Sequence, residues 1–222
     1  MMKPISAIIF KDVAIELRNK ESLASMIMFG VLVLVVFNFA FESTGLDKAL
    51  VAPGTLWVAI SFAAILGLNR SFAMETDNDC LQGLLLAPIS RGDLYIGKVA
   101  SNFIFMLIAE LIILPLFVIF NGFNFDFKFV EVVAIACLAT LAIAGVGTIL
   151  STISSNTRMK EVMLPVLQIP LTVPVIIAAV ETTRQVMTGE LVQISSWLYI
   201  LAGFTIVYLT LSYLLFEFVV EE

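Results

Sequence analysis

Six long apolar segments dominate the hydrophobic pattern of the chain. A helix that crosses a bilayer needs about 20 predominantly apolar residues. Segments at roughly 23–41, 53–73, 99–121, 129–153, 162–181 and 197–219 meet this requirement. The fifth holds three prolines, which remove backbone donors and favour a bend in that span. The pattern predicts an all-α integral membrane protein with six transmembrane helices, built as a single domain over residues 1–222.

An amphipathic pattern precedes the first span, over residues 4–22. Ile5, Ile9, Val13 and Leu17 recur every four residues, and the charged residues fall between them. A helix with such a stripe can lie in the membrane interface. The alternative is a solvent-exposed leader to the first span. The short distance to the first apolar segment favours the interfacial helix.

Composition supports a membrane environment. Hydrophobic residues make up 60% of the chain, against about 45–50% in soluble domains, so the excess must face lipid. The chain has no histidine, which removes the commonest metal ligand and general base. The net charge of -6 carries little information, because the position of lysine and arginine matters more than their sum in a membrane protein.

The distribution of basic residues predicts the orientation. Loops alternate between the two sides of the membrane, and nine basic residues fall on the side of the N-terminus, against three on the other. The nine are Lys3, Lys11, Arg18, Lys20, Arg70, Arg91, Lys98, Arg158 and Lys160; the three are Lys48, Lys128 and Arg184. The positive-inside rule therefore places both termini in the cytoplasm, together with the loop over residues 74–98.

The 74–98 loop is the longest hydrophilic stretch and the candidate docking segment. Asp77 or Asp79 is suited to cap a short helix, in which Leu81, Leu84 and Leu85 would share one face. Such a helix suits docking to a cytosolic partner, with Arg91 at the end of the loop as a further candidate. Packing of the helix onto its own bundle is supported equally well by the pattern.

Two polar residues inside spans are candidates for an intramembrane role. Glu110 lies near the centre of the third span, where a charged carboxylate costs about 2.5–3.5 kcal/mol on insertion scales. We expect its side chain to be neutral, hydrogen-bonded or directed into a polar cavity. Gln168 lies in the fifth span. Each residue either lines a transport pathway or holds helices together, and for Gln168 the structural role is favoured.

A stripe of small residues follows the fourth span at intervals of four: Ala136, Thr140, Ala144, Thr148 and Thr152. Small residues let membrane helices approach closely. The stripe predicts packing within the chain, with a dimer interface as the alternative.

No enzyme motif stands in the sequence. Gly92 to Lys98 has the spacing of a phosphate-binding loop, but Val99 follows in place of serine or threonine, and the segment leads into a span instead of following a strand. If ATP drives the protein, another subunit must bind it. Two other classes stay open: a secondary transporter or channel that uses Glu110, and a structural membrane subunit that transports nothing.

Several segments resemble one known family. These are Leu56 to Ala59, Leu66 to Phe72 with Glu75, and Leu84 to Arg91, supported by Lys11 to Arg18 and Glu161 to Glu181. Together they resemble the cytochrome c maturation protein B family, CcmB, the membrane subunit of the so-called haem exporter. Asp79 departs from the small residue, usually glycine, that the family carries there.

The resemblance implies a type-2 ABC permease fold with an amphipathic N-terminal helix. It implies docking of an ATP-binding subunit, CcmA, on the 74–98 loop, and two copies of this chain or a second permease subunit in each complex. It also implies association with CcmC and CcmD, and coupling of ATP hydrolysis to haem export or to release of the haem-loaded chaperone CcmE. The chain itself is expected to bind no cofactor and to lie in the bacterial inner membrane.

Overall fold

The computed structural model describes residues 4–42, 47–77, 89–122, 127–155, 160–189 and 191–221. All regular structure in these ranges is helical, as predicted. The seven helices are α1 (Pro4–Asn19), α2 (Glu21–Glu42), α3 (Lys48–Asp77), α4 (Arg91–Asn121), α5 (Phe127–Ser155), α6 (Lys160–Thr188) and α7 (Leu191–Glu221).

Helices α2 to α7 each contain one segment that is long and apolar enough to cross a bilayer, which confirms the prediction of six spans. Helical structure reaches further into the 74–98 loop than the apolar pattern indicated, since α3 continues to Asp77 and α4 begins at Arg91. The start of α4 has a local cause. The Ser90 hydroxyl accepts a hydrogen bond from the Asp93 backbone N–H at 3.0 Å, which satisfies one free donor of the first turn.

Helix α5 lies at the centre of the bundle and packs against α3, α4, α6 and α7. Its small-residue stripe is at most 1% exposed at every position, which confirms the prediction of packing within the chain. Helices α2 and α7 lie at the periphery and expose large apolar residues such as Phe39 and Phe218. Such surface is expected where the solvent is lipid.

Helix α1 is separated from α2 by Lys20, which adopts a left-handed conformation with φ 53°. It packs chiefly on α4 and only weakly on α2. Ile5, Ile9 and Val13 of the predicted stripe are half-buried, and the side chain of Leu17 lies outside the described residues. Among the described side chains of α1, the most buried are Ile8 and Glu16, at 3% and 5% exposure, with Asp12 between them. The hydrophobic period alone did not indicate this side, because the contact that buries Asp12 is an ion pair with Lys98 of α4.

Helix α6 continues through Pro165, Pro170 and Pro174. Membrane helices tolerate proline where neighbouring groups bond the backbone carbonyls. Near these prolines the Tyr208 hydroxyl of α7 donates to the Leu171 carbonyl at 2.6 Å. This bond crosses between helices and ties the proline-rich segment to α7.

Candidate functional site

Three hydrogen bonds from polar side chains join α4 to α5 inside the bundle. The Tyr95 hydroxyl donates to the Gly145 carbonyl at 3.2 Å. The Asn102 amide donates to the Thr148 hydroxyl at 2.9 Å. The Thr140 hydroxyl donates to Glu110. The two helices are therefore held together by polar contacts as well as by apolar packing.

Glu110 is the acidic residue in these three contacts, and it is deeply buried. Its side chain is 3% exposed, and Oε1 accepts the hydrogen bond from Thr140. The second carboxyl oxygen, Oε2, is buried with no hydrogen-bond partner among the described residues. A charged carboxylate with one unsatisfied oxygen is costly at this depth. The surroundings therefore suit a neutral carboxylic acid.

Gln168 on α6 lies apart from Glu110. It is 1% exposed, and neither amide atom has a hydrogen-bond partner among the described residues. Its amide nitrogen lies beside Gly147 of α5, where an added Cβ would come within 3.2 Å of it. Gly147 is seven residues, or two turns, from Thr140, the contact of Glu110. The structure thus gives two separate buried polar positions and does not bring Glu110 and Gln168 into one site.

Of the residues proposed for docking, the structure describes only Arg91. Asp79, Leu81, Leu84 and Leu85 lie outside the described residues. Arg91 is described: it is the first residue of α4, is partly exposed, and follows the capping Ser90.

A buried ion pair joins α1 to the first turns of α4, and the sequence pattern gave no indication of it. Lys98 Nζ lies 3.0 Å from Asp12 Oδ2, and the two side chains are 5% and 9% exposed. Lys11 pairs with the other oxygen of Asp12 at 3.0 Å but is 35% exposed. Beside the pair, Ile8 packs so closely on Gly97 that a Cβ there would lie 3.0 Å from the isoleucine side chain. The segment with phosphate-loop spacing is therefore a helix packed on α1 and not an anion-binding loop.

Trp57 forms a further hydrogen bond between helices inside the bundle. Its side chain is fully buried, and Nε1 donates to the Thr183 hydroxyl at 3.1 Å, which joins α3 to α6. Because the indole N–H has a hydrogen-bond acceptor inside the bundle, it does not require one at the membrane interface. Asn102 was also missed; a lone amide within a long apolar run was the available signal.

The Glu110–Thr140 contact leads to a quantitative prediction. Thr140→Val should destabilise the protein by about 0.6 kcal/mol and at most about 1.7 kcal/mol, the range found for hydrogen bonds between membrane helices. Glu110→Gln keeps an acceptor for Thr140 and should leave stability nearly unchanged. Unfolding of the purified protein in mixed micelles measures both effects. In a Glu110→Leu background, Thr140→Val should have no further effect; full additivity of the two changes contradicts the contact.

The fold and these contacts define a multi-pass helical membrane protein whose spans are joined by buried polar side chains. The family model described as CcmB protein matches residues 3–221, and the chain belongs to this family. The resemblance noted from the sequence segments is thereby confirmed.

Three similar proteins carry the name Heme exporter protein B. The one from Rhodobacter capsulatus is 26% identical over 200 residues, which cover 90% of each chain. The one from Pseudomonas aeruginosa is 23% identical over 213 residues, 96% of this chain and 94% of the relative. The one from Bradyrhizobium diazoefficiens is 29% identical over 195 residues, 86% and 85% of the two chains.

Proposed function

We propose that this chain is the membrane subunit of a haem-exporting complex that acts in cytochrome c maturation. The observation that carries the proposal is the family match over residues 3–221, together with six spans and relatives named for haem export. The chain would share the type-2 ABC permease arrangement, with two copies or a second permease subunit in each complex. It would lie in the bacterial inner membrane.

The energy source in this proposal is ATP hydrolysis by a partner, CcmA. The segment with phosphate-loop spacing, Gly92 to Lys98, supports ATP binding by the partner and not by this chain. The segment is part of a continuous helix that packs against α1. This chain would thus hold neither ATP nor a cofactor of its own. Hydrolysis would be coupled to haem export or to release of the haem-loaded CcmE, with CcmC and CcmD in the same assembly.

The docking segment for CcmA in this proposal is Asp79 to Leu86. Support comes from the sequence face of Leu81, Leu84 and Leu85 and from the helices that flank the segment. Helices α3 and α4 pack against each other, and the segment joins the end of one to the start of the other. A force applied to the segment would therefore reach two packed spans at once.

The proposed orientation has both termini and the 74–98 loop in the cytoplasm, because basic residues are concentrated on that side. Reporter fusions after Glu222 and after Asp79 should give cytoplasmic signals, and a fusion after Lys48 should report the opposite side. A periplasmic signal from the Asp79 fusion contradicts both the orientation and the docking proposal.

The proposed function is tested by co-expression with the ATP-binding subunit. The two should co-purify in detergent, and ATP hydrolysis by the membrane fraction should depend on this chain. Loss of cytochrome c maturation on deletion of the chain, restored by its re-expression, is the cellular control. Maturation that requires this chain but no ATP-binding partner favours the second candidate, a secondary transporter, for which the buried carboxyl of Glu110 is the supporting observation.

A further inference from the structure

The proposed docking segment is connected to α4 by a short link that is fixed at its end. Only four residues separate Leu86 from Arg91, the first residue of α4. Ile89 packs on the core of the bundle, and Ser90 caps the first turn through its bond to the Asp93 N–H. A displacement of the docking segment should therefore be passed on to the first turn of α4.

The first turn of α4 lies directly against a tyrosine of α7. The Tyr213 ring packs so closely on Gly92 that a Cβ at position 92 would lie 2.7 Å from two ring carbons. Two carbon atoms in van der Waals contact are about 3.5–4.0 Å apart, so only glycine fits beneath the ring in this position. Any movement of the first turn towards α7 must therefore displace the ring.

The Tyr213 ring belongs to an aromatic cluster that joins three helices. Tyr213 meets Tyr95 of α4 with ring centroids 6.2 Å apart, and Tyr95 meets Phe216 of α7 at 5.3 Å. Phe216 is 1% exposed, and the Tyr95 hydroxyl donates to the Gly145 carbonyl of α5. Because α5 is the central helix, the cluster connects the start of α4 both to α7 and to the core of the bundle.

We propose that Tyr213 is a positioning residue that passes movement of the docking segment from the first turn of α4 to α7 and α5. The inference rests on the proposed docking of an ATP-binding subunit at Asp79 to Leu86. Tyr213 itself is 45% exposed, so its ring contributes more to the contacts with Gly92 and Tyr95 than to filling the core. Its role is in coupling and not in docking, because the ring contacts α4 beyond the end of the docking segment.

The test uses the complex of the full chain with its ATP-binding subunit. Tyr213→Ala should retain the subunit within twofold of the wild type in detergent co-purification, yet lower chain-dependent ATP hydrolysis and cytochrome c maturation at least fivefold. Tyr213→Phe keeps the ring and should retain docking, hydrolysis and maturation. Tyr199→Ala is the matched control and should behave as the wild type does, because Tyr199 is 74% exposed and lies about four turns from Tyr213 on the same helix.

Gly92→Ala tests the same contact from the side of α4. The added Cβ displaces the Tyr213 ring without removing it, and alanine is favoured over glycine within a helix, so the chain should accumulate normally. Gly92→Ala should lower cytochrome c maturation at least threefold in the wild-type background. In the Tyr213→Ala background it should have no further effect, because the ring that it displaces is absent.

Normal maturation in Tyr213→Ala overturns the inference, as does an equal loss in Tyr213→Phe or in the Tyr199→Ala control. Loss of the ATP-binding subunit from Tyr213→Ala also overturns it, because the ring would then hold the docking surface itself. If Tyr213→Ala does not accumulate, Gly92→Ala decides alone, and normal maturation in that variant overturns the inference. Failure of the wild type to recover any ATP-binding subunit contradicts the proposed function and this inference with it, whereas failure of the inference alone is seen only in the variants.

Discussion

Leu84→Asp is expected to abolish recovery of the ATP-binding subunit with this chain, while the amount of chain in the membrane stays unchanged. In the proposed docking mode, Leu84 is the central member of the leucine face. Burying a leucine contributes about 1.5–3 kcal/mol, and a few central residues dominate most interfaces. The substitution removes this contribution and forces an unpaired carboxylate into the interface. At about 1.4 kcal/mol for each tenfold change, docking should weaken by roughly a hundredfold or more.

The control is Gln82→Asp, which adds the same charge to the same segment two positions away, on a different helical face. It should retain the ATP-binding subunit, and Leu84→Ala should give an intermediate loss. Detergent co-purification, normalised to membrane-inserted chain, is the measurement. Equal recovery of the ATP-binding subunit with the wild type and with Leu84→Asp contradicts the docking proposal. It indicates instead that the leucine face packs on its own bundle.

Asp12→Leu is expected to destabilise the protein by about 3–5 kcal/mol, the usual consequence of breaking a buried ion pair by removing one partner. The variant leaves the Lys98 ammonium buried at the interface of α1 and α4 without its carboxylate. Lys98→Met should cost less, because Asp12 keeps Lys11 as a partner. Lys11→Met should cost at most about 1 kcal/mol, because this pair is more than one third exposed and screened by solvent.

The double variant Asp12→Leu/Lys98→Met distinguishes an ion-pair effect from general damage to α1. A buried ion pair replaced by two apolar side chains is often neutral or stabilising, so the double variant should recover most of the stability lost in Asp12→Leu. Thermal unfolding in detergent gives the ranking. Losses that simply add in the double variant show that the two side chains do not interact.

Most of the architecture could be predicted from the apolar segments because the bilayer imposes it locally. A spanning segment must satisfy its own backbone hydrogen bonds and must be about 20 residues long. The six spans could therefore be predicted without knowledge of tertiary contacts. The same holds for the cap at Ser90, where serine and the residue three positions later interact within one turn. The α5 stripe was equally visible, because close helix packing in lipid requires small side chains.

The partners of buried polar groups could not be predicted in the same way. Asp12 and Lys98 are 86 residues apart, and Lys98 was counted as a cytoplasmic charge before the structure placed it against α1. Tryptophan is typical of membrane interfaces, yet the indole of Trp57 donates a hydrogen bond to Thr183, 126 residues further along the chain. Glu110 was visible as an unusual residue, whereas its contact with Thr140 depends on the register of α4 against α5.

By itself, then, the sequence determined the class of protein, the number of spans and the family, because these follow from local hydrophobicity and from short motifs. The tertiary structure decided which side of each helix faces protein. Hydrophobicity cannot distinguish these sides, since lipid and the bundle interior are equally apolar. Small and polar residues mark the buried side, as Asp12 and Glu16 do on α1. Their partners lie on other helices, so only the packed bundle shows which of them meet.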